Sequence, residues 1–575
     1  MANLFSPEDG MGPRDCYGRR HAALPCLSID RVMENRLFVS TAPLLKIPRE
    51  LLLEIVQAID SKSLSALALV NSDCRQFARL RQFAHVTFNH YPSSKALIQS
   101  LDGERKRREI DPLNPVAQGR AQGTIGPCIQ SITVHMFDNW IDCSVEDQLI
   151  INCDSFFEYT SIIEKIVNDG TTLPHLDLVV WRDVFSPRKY CYLSKSPIRY
   201  LHLIDPIIED FDISPWNNPC DWKLQALTVI QPVVPYTWRN DISLFGRRIL
   251  WDCAPTLQHL TWVGGRSFKL ANELGEPPCF KMLRYLQVLS LDLPTTRCWN
   301  ILLTAPLVGL CLRYSEGSIL HQALEECGYI RTLETFVWNG SLHSPCHLSF
   351  LSVNNHILRF ALDHPSSADI LENRLLPMFG THFKNLRSLS LIWPQDLKVL
   401  SESALSMISQ IRSLEQLHLT VGNVEGWRYS RNWRVDHNAI RHHLKPLSHL
   451  QKIAFSGDEY PRMRGELEHE PNADYWSTAD ALSGEEIIGA DDEQMLSFWE
   501  EIHKCTCLRE AGVYAEVFPK MTWIFLGQLP MRVVSGGGRK TVIPLTENRD
   551  NCATLLKRMF GWVGRWPVGR DLIPE

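Results

Sequence analysis

One six-residue pattern, apolar-x-x-apolar-x-apolar, recurs twelve times between residues 129 and 455 and constrains the fold more than any other feature. It reads IQSITV (129–134), LPHLDL (173–178), IRYLHL (198–203), LQALTV (224–229), LQHLTW (257–262), LQVLSL (286–291), LVGLCL (307–312), LETFVW (333–338), ILRFAL (357–362), LRSLSL (386–391), LEQLHL (414–419) and LQKIAF (450–455). From residue 173 onward the copies begin 21 to 36 residues apart. The last two apolar residues of each copy alternate, so in a short strand both point to one side. The first turns in from the preceding loop. A single copy cannot bury that side alone, so copies must stack. Segments such as ESALSMISQI (402–411) carry helical spacing and are expected to cover the outer side. The expected fold class is α/β, with parallel strands on the concave side of a solenoid and helices outside.

The strand positions between the apolar ones should line the concave face. They include Tyr200, His202, His259, Thr261, Ser290, Asp292, Arg313, Ser388, Ser390, Gln416, His418 and Lys452. The set has no dominant charge sign, which fits a protein surface as target better than a phosphate backbone. Of these, Tyr200, His202, His259, Asp292, Arg313, Gln416, His418 and Lys452 are the expected target contacts. The formal charge of -6 over 575 residues argues against a general nucleic-acid surface. No run of about 18 apolar residues suggests a membrane span, and MANLFSPEDGMGPRD lacks the apolar core of a secretory signal. The 17 cysteines form no C-x-x-C pair and read as reduced thiols. Cys505 and Cys507 would point to different helix faces.

Ahead of the repeats, LLKIPRELLLEIVQAIDSKSLSALALVNSDCRQFARL holds three short helical patterns. Pro48 suits a first helical position, where its missing N–H costs nothing, and Glu50 favours the positive helix end. Leu51, Leu52, Ile55 and Ile59 follow at helical spacing. Ser63 is expected to cap the second pattern, which carries Leu64, Leu67 and Val70. Asn71 and Ser72 break it, and a third runs from Asp73 with Cys74, Phe77 and Leu80. Some forty residues bury too little surface to be robust alone, so a partner surface is expected.

These residues resemble the F-box: I-P-x-E-L-L-x-E-I, then Leu-x-x-Leu-x-x-Val. The resemblance implies docking on the Skp-type adaptor of a cullin-based (SCF) ubiquitin ligase, with Ile47, Pro48, Leu51, Leu52, Ile55, Leu64, Leu67 and Val70 at core or adaptor-binding positions. Many F-boxes carry Trp four residues after that Val, where this chain has Cys74. The repeats are similar to degenerate leucine-rich repeats, whose period is 20–29 residues, although the Asn usual after the strand is mostly absent.

The expected organisation is a disordered tail over 1–40, F-box helices over 41–90, a linker over 91–125, the leucine-rich-repeat-like solenoid over 126–460, an acidic mobile insertion over 461–493 and a capping segment over 494–575. Arg105 to Arg108 form a basic run, read as a solvated helix face or a nuclear import signal. In the capping segment, Trp499, Ala511, Tyr514 and Phe518 should share a helix's buried side, with Trp523, Phe525 and Leu526 in the strand-like run that follows. That stretch is similar to the C-terminal part of large fungal F-box-domain proteins. SGGGRKT (535–541) lacks phosphate-loop spacing and should turn between MRVV and TVIPL.

No hydrolase, zinc or Rossmann motif is present, and the histidines of DHNAIRHHL have no clear carboxylate partner. The chain therefore reads as a non-enzymatic substrate receptor without metal or cofactor, cytoplasmic or nuclear. Its expected partners are the adaptor, the cullin scaffold and an unidentified target protein. The alternatives are an F-box scaffold acting outside a ligase, and an enzyme with an unrecognised site.

Overall fold

The structure is a computed structural model describing residues 27–33, 42–89, 91–110, 124–134, 159–181, 190–204, 222–230, 243–264, 278–289, 293, 295–313, 319–340, 342, 345–394, 396–397, 399–422, 433, 435–456, 490–527, 529–536, 538–545 and 560. The expected acidic insertion, up to residue 489, and most of the expected N-terminal tail lie outside the described residues, as do Ser290, Asp292 and the Trp499 side chain. The fold is mixed α/β with mostly parallel strands, and it divides into two compact units between Leu283 and Arg284.

The first unit opens with helices: α1 (Ile29–Met33), α2 (Arg49–Ala58), α3 (Ser61–Val70), α4 (Ser72–Gln82) and, after one strand, α5 (Pro92–Ile110). A disordered tail is expected over 1–40. Yet Ile29 and Val32, three residues apart on one helix face, are buried with Leu52, Val56, Leu64, Cys74 and Phe77. Five residues are too few to show periodicity in a sequence, which is why α1 was not anticipated.

The caps differ slightly from expectation. Pro48 is the N-cap of α2 rather than its first residue. Asp60, not Ser63, caps α3: its carboxylate accepts the Ser63 N–H at 2.9 Å and the Ser63 hydroxyl at 2.7 Å. Asn71 ends α3 and caps α4, accepting the Cys74 N–H at 2.7 Å. The expected linker is largely α5, a 19-residue helix that buries Ile98 and Leu101. Its buried Glu104 accepts the backbone N–H groups of Ile125 (2.7 Å) and Gly126 (3.0 Å). A Cβ on Gly126 would lie 2.0 Å from the Thr172 carbonyl oxygen, so this close approach requires glycine.

Six strands follow one another in parallel register in this unit: β1 (His85–Phe88), β2 (Ser131–Val134), β3 (Leu178–Trp181), β4 (Tyr200–Ile204), β5 (Ala226–Ile230) and β6 (His259–Val263). The second unit carries β7 (Tyr285–Leu289), β8 (Gly309–Arg313), β9 (Thr335–Asn339), β10 (Arg359–Leu362), β11 (Ser388–Trp393), β12 (Gln416–Val421), β13 (Lys452–Ser456) and β14 (Trp523–Gly527), again in parallel. Two antiparallel strands close it, β15 (Leu529–Gly536) and β16 (Arg539–Pro544), joined at the SGGGRKT turn with Gly538 at φ 80°. Sequential parallel pairing within each unit is compatible with a stacked-repeat solenoid.

The register corrects two copies of the pattern. Leu286 aligns with Leu310, and Val179 with Ile132 and Leu201. The repeating positions are therefore Leu176, Val179 and Trp181, and Leu283, Leu286 and Val288, each shifted by three residues from LPHLDL and LQVLSL. Two further copies bracket the series: Phe83, Val86 and Phe88, and Met521, Ile524 and Leu526. The residue after each first apolar position extends the backbone ladder beyond the strands. Arg387 N–H reaches the Leu358 carbonyl, Glu415 reaches Arg387 and Gln451 reaches Glu415, at 2.7 to 2.8 Å.

In the second unit the repeating apolar residues face the helices. Phe336 packs on Phe350 of the helix Pro345–Val353, with ring centroids 5.4 Å apart. Phe360 meets Phe379 of the helix Leu376–His382 at 5.0 Å. Phe455 meets Tyr514 of the helix Ala490–Val517 at 5.8 Å. The helix expected over 402–411 spans Glu402–Gln410.

Candidate interaction surfaces

Of the eight residues expected to bind the adaptor, four are exposed: Pro48, Leu51 (50 %), Ile55 (39 %) and Val70 (68 %). Leu51 and Ile55 stand four residues apart, one turn along a single face of α2. Ile47 and Leu67 are partly buried against the helical core. Leu52 and Leu64 are fully within that core, with Val56, Cys74 and Phe77, and hold the helices to one another rather than facing outward. Two exposed leucines were not anticipated, Leu44 (44 %) and Leu69 (80 %). Leu69 belongs to the last turn of α3, where Asn71 stops the helix before another turn can cover it. Cys74, where the F-box pattern has Trp, is buried, and burial pushes its thiol up.

The basic run of α5 is tied into the first unit. Arg105 pairs with Asp102 at 2.8 Å, Arg107 bonds the Gly103 carbonyl, and Arg108 bonds the Thr171 carbonyl at 2.9 Å. These are bonds of a structural helix, and Arg105, whose side chain is only 11 % exposed, is not part of a solvated face.

The sheet face opposite the repeating apolar residues differs most from expectation. His202 and His418 are buried, at 4 % and 3 % exposure, as are Thr261, Ser388 and Ser390. Tyr200, His259, Gln416 and Lys452 are partly exposed, and Arg313 is open. In the first unit this face carries an apolar cluster of Leu178, Val180, Ile204 and Ile230, joined by Tyr200 and Val263, rather than a mixed polar surface. Parallel strands covered on both faces read as near-continuous apolar runs, and LVVW and ALTVI are such runs. Burial holds His202 and His259 down, to about 4 in each case.

Over β11 to β13 the same face carries a polar chain. Ser390 Oγ lies 2.8 Å from His418 Nδ1, and His418 Nε2 lies 2.9 Å from Ser456 Oγ. Thr420 Oγ1 donates to the Ser456 carbonyl at 2.7 Å. Phe560 closes over this chain, with its ring 5.4 Å from that of His418 and 6.1 Å from that of Trp523.

The histidines of DHNAIRHHL play separate parts. His437 is buried, its Nδ1 3.1 Å from Tyr514 Oη, and neighbouring Arg441 pairs with Glu510 at 2.7 Å. Together these contacts tie the helix His437–Leu444 to the helix Ala490–Val517. Ala511 and Tyr514 lie on the buried side of the longer helix, and Phe518, expected on the same helix, is buried just past its end. Cys505 is exposed and Cys507 buried, as their spacing requires. Among the described residues no group of three His, Cys, Asp or Glu side chains could hold a metal ion, and no helix is long and apolar enough to cross a membrane.

Comparison with models of known protein families and with curated proteins found no match for the chain.

Proposed function

We propose that the chain is a substrate-recognition subunit of an SCF-type ubiquitin ligase. The F-box-like helices α2 to α4 dock on a Skp-type adaptor, and the degenerate leucine-rich-repeat body binds the target. The observation that carries this reading is the two-sided character of the helical unit. One side is sealed by Leu52, Val56, Leu64 and Phe77. Outside it, Leu44, Leu51 and Ile55, before and on α2, and Leu69 and Val70, at the end of α3, are left in water. Exposed leucine and valine at adjoining helix positions favour a protein partner that removes them from water.

Each side chain contributes in proportion to the area it still exposes. Fully burying a Leu or Val is worth about 1.5–3 kcal/mol, so Leu69 and Val70 have the most to gain and the half-covered Leu51 about half as much. With Cys74 turned into the helical core, the site normally filled by Trp in this family supplies no contact. Docking then rests on α2 and the end of α3.

The chain would supply no acid or base to the chemistry. Its part would be to hold a target lysine near a ubiquitin-conjugating enzyme carried elsewhere in the complex, which is catalysis by proximity. Co-purification of the tagged full-length chain tests the assignment. Recovery of both adaptor and cullin supports a ligase subunit. Adaptor without cullin would make the chain a scaffold outside the ligase, and recovery of neither would overturn both.

A further inference from the structure

Six successive turns lead into β9 to β14, and all close in the same way. The N–H of the fourth residue reaches the carbonyl of the first in Ile330–Leu333 (3.1 Å), Asn354–Ile357 (3.3 Å), Phe383–Leu386 (3.5 Å), Ile411–Leu414 (3.2 Å), Leu447–Leu450 (3.1 Å) and Phe518–Met521 (3.1 Å). The end residues of every turn are buried, which turns the two central residues toward solvent. Those central positions hold Arg331, Lys384, Arg412, Lys520, His356 and His449 and no acid, in a chain with more acids than bases (65 against 59). All of these but the half-buried His356 are exposed. Helix dipoles favour cations within the last helical turn. Arg331, Lys384, Arg412 and Lys520 lie past the ends of their helices, at Cys327, His382, Gln410 and Val517, so helix stabilisation does not account for them.

The turns are held at fixed spacing. Thr332 Oγ1 donates to the Leu307 carbonyl of the preceding repeat at 2.7 Å, and Ser413 Oγ to that of Leu386 at 2.8 Å. At the far end Lys520 Nζ lies 3.0 Å from His449 Nδ1, so side chains of neighbouring turns converge. Strands about 4.8 Å apart place the first and last of these turns about 24 Å from one another. Among the described residues no carboxylate pairs with Arg331, Lys384, Arg412 or Lys520. Glu334 and Glu415 stand just beyond their turns, and Glu415 pairs with a further cation, Arg387, at 3.7 Å.

We propose that this row of turns binds an acidic segment of the target protein, an extended stretch rich in Asp or Glu. An extended chain rises about 3.3 Å per residue, so about seven residues cover the row. Nucleic acid fits less well, because Glu334 and Glu415 would stand beside its phosphates. The inference rests on reading the repeat body as the target-binding part. It adds the chemistry of the target and moves the contact from the sheet face to the turns. It does not involve the adaptor.

The test uses the full-length chain and a fluorescein-labelled peptide of alternating Glu and Ser, about ten residues long, read by fluorescence anisotropy at about 50 mM NaCl, where charge pairing is weakly screened. A chain carrying Arg331→Glu, Lys384→Glu and Arg412→Glu should bind it at least about tenfold more weakly than the unaltered chain. Glutamine at the same three positions should cost at least about threefold, and keeps the test open if the glutamate variant does not fold. Arg297→Glu, Arg374→Glu and Arg539→Glu together change net charge equally at exposed sites outside these turns, and should leave binding within about twofold. A peptide of alternating Gln and Ser should not bind. No binding of the acidic peptide by the unaltered chain would overturn the proposal. So would equal losses from the turn and control variants, since only net charge would then matter. Tighter binding of single-stranded DNA of equal charge, lost in the turn variants, would make nucleic acid the partner and also refute it. Because every arm omits the adaptor, failure of the ligase assignment and failure of this surface are read separately.

Discussion

Replacing Leu52 by alanine should loosen the helical unit far more than the same change at its neighbour Leu51. Leu52 is 2 % exposed and packs with Val56, Leu64, Cys74 and Phe77, so its truncation removes transfer energy and leaves a cavity. Buried Leu→Ala changes cost 2–5 kcal/mol. The core here is small and lies in short helices that can partly collapse, which places the loss at about 3 kcal/mol. Leu51 is half exposed. The covered half of its side chain is worth about 1 kcal/mol at the usual transfer coefficient. Amide hydrogen exchange in α4 reads the difference, because opening of this unit controls protection there. Each 1.4 kcal/mol is a factor of ten, so Leu52→Ala should cut protection about 150-fold and Leu51→Ala about fivefold. Equal losses from the two variants would refute the assignment of inner and outer faces to α2.

Two further outcomes follow from the fold. Gly126→Ala should destabilise the first unit by about 3 kcal/mol in chemical denaturation, because its Cβ would meet the fixed Thr172 backbone carbonyl. Acid should weaken the same unit through His202, whose pKa burial holds at about 4 against an ordinary 6.5. Between those values the unfolded chain binds the extra proton, so this stabilisation is full above pH 6.5 and is lost as pH falls toward 4, by about 3 kcal/mol. His202→Gln should flatten the acid side of the stability profile measured by denaturant titration at several pH values, and an unchanged profile would contradict the burial argument.

The repeat was largely legible because a strand with one face on helices must alternate its apolar residues, and ten of the twelve copies fall in the observed register. The two misplaced copies sit where leucines lie three apart on both sides of the true position. Leu173, Leu176 and Leu178 satisfy the pattern as well as Leu176, Val179 and Trp181 do, and only pairing of Ser131 with Leu178 separates them. The terminal copies were missed because Phe83 and Met521 stand where the others have Leu or Ile. The opposite sheet face was not legible at all. Whether His202 or His418 is open depends on what lies over it, and for His418 that cover includes Phe560, far along the chain. In the helical unit, helical spacing identified the apolar residues but not which ones face inward. Leu52 and Leu64 turned to the core, while Leu44 and Leu69 emerged on the surface.

The account depends most on the outward leucines of α2 and α3 being a docking surface. Titration calorimetry of a purified Skp-type adaptor into the full-length chain tests this directly, alongside Leu51→Glu and Leu69→Glu variants. The adaptor should bind the unaltered chain with a dissociation constant of about 1 μM or tighter, and each glutamate should weaken binding at least about tenfold, the loss of a contact at the centre of an interface, with protection in α4 retained. No heat of binding with about 50 μM adaptor, or affinities unmoved by either glutamate, would contradict it.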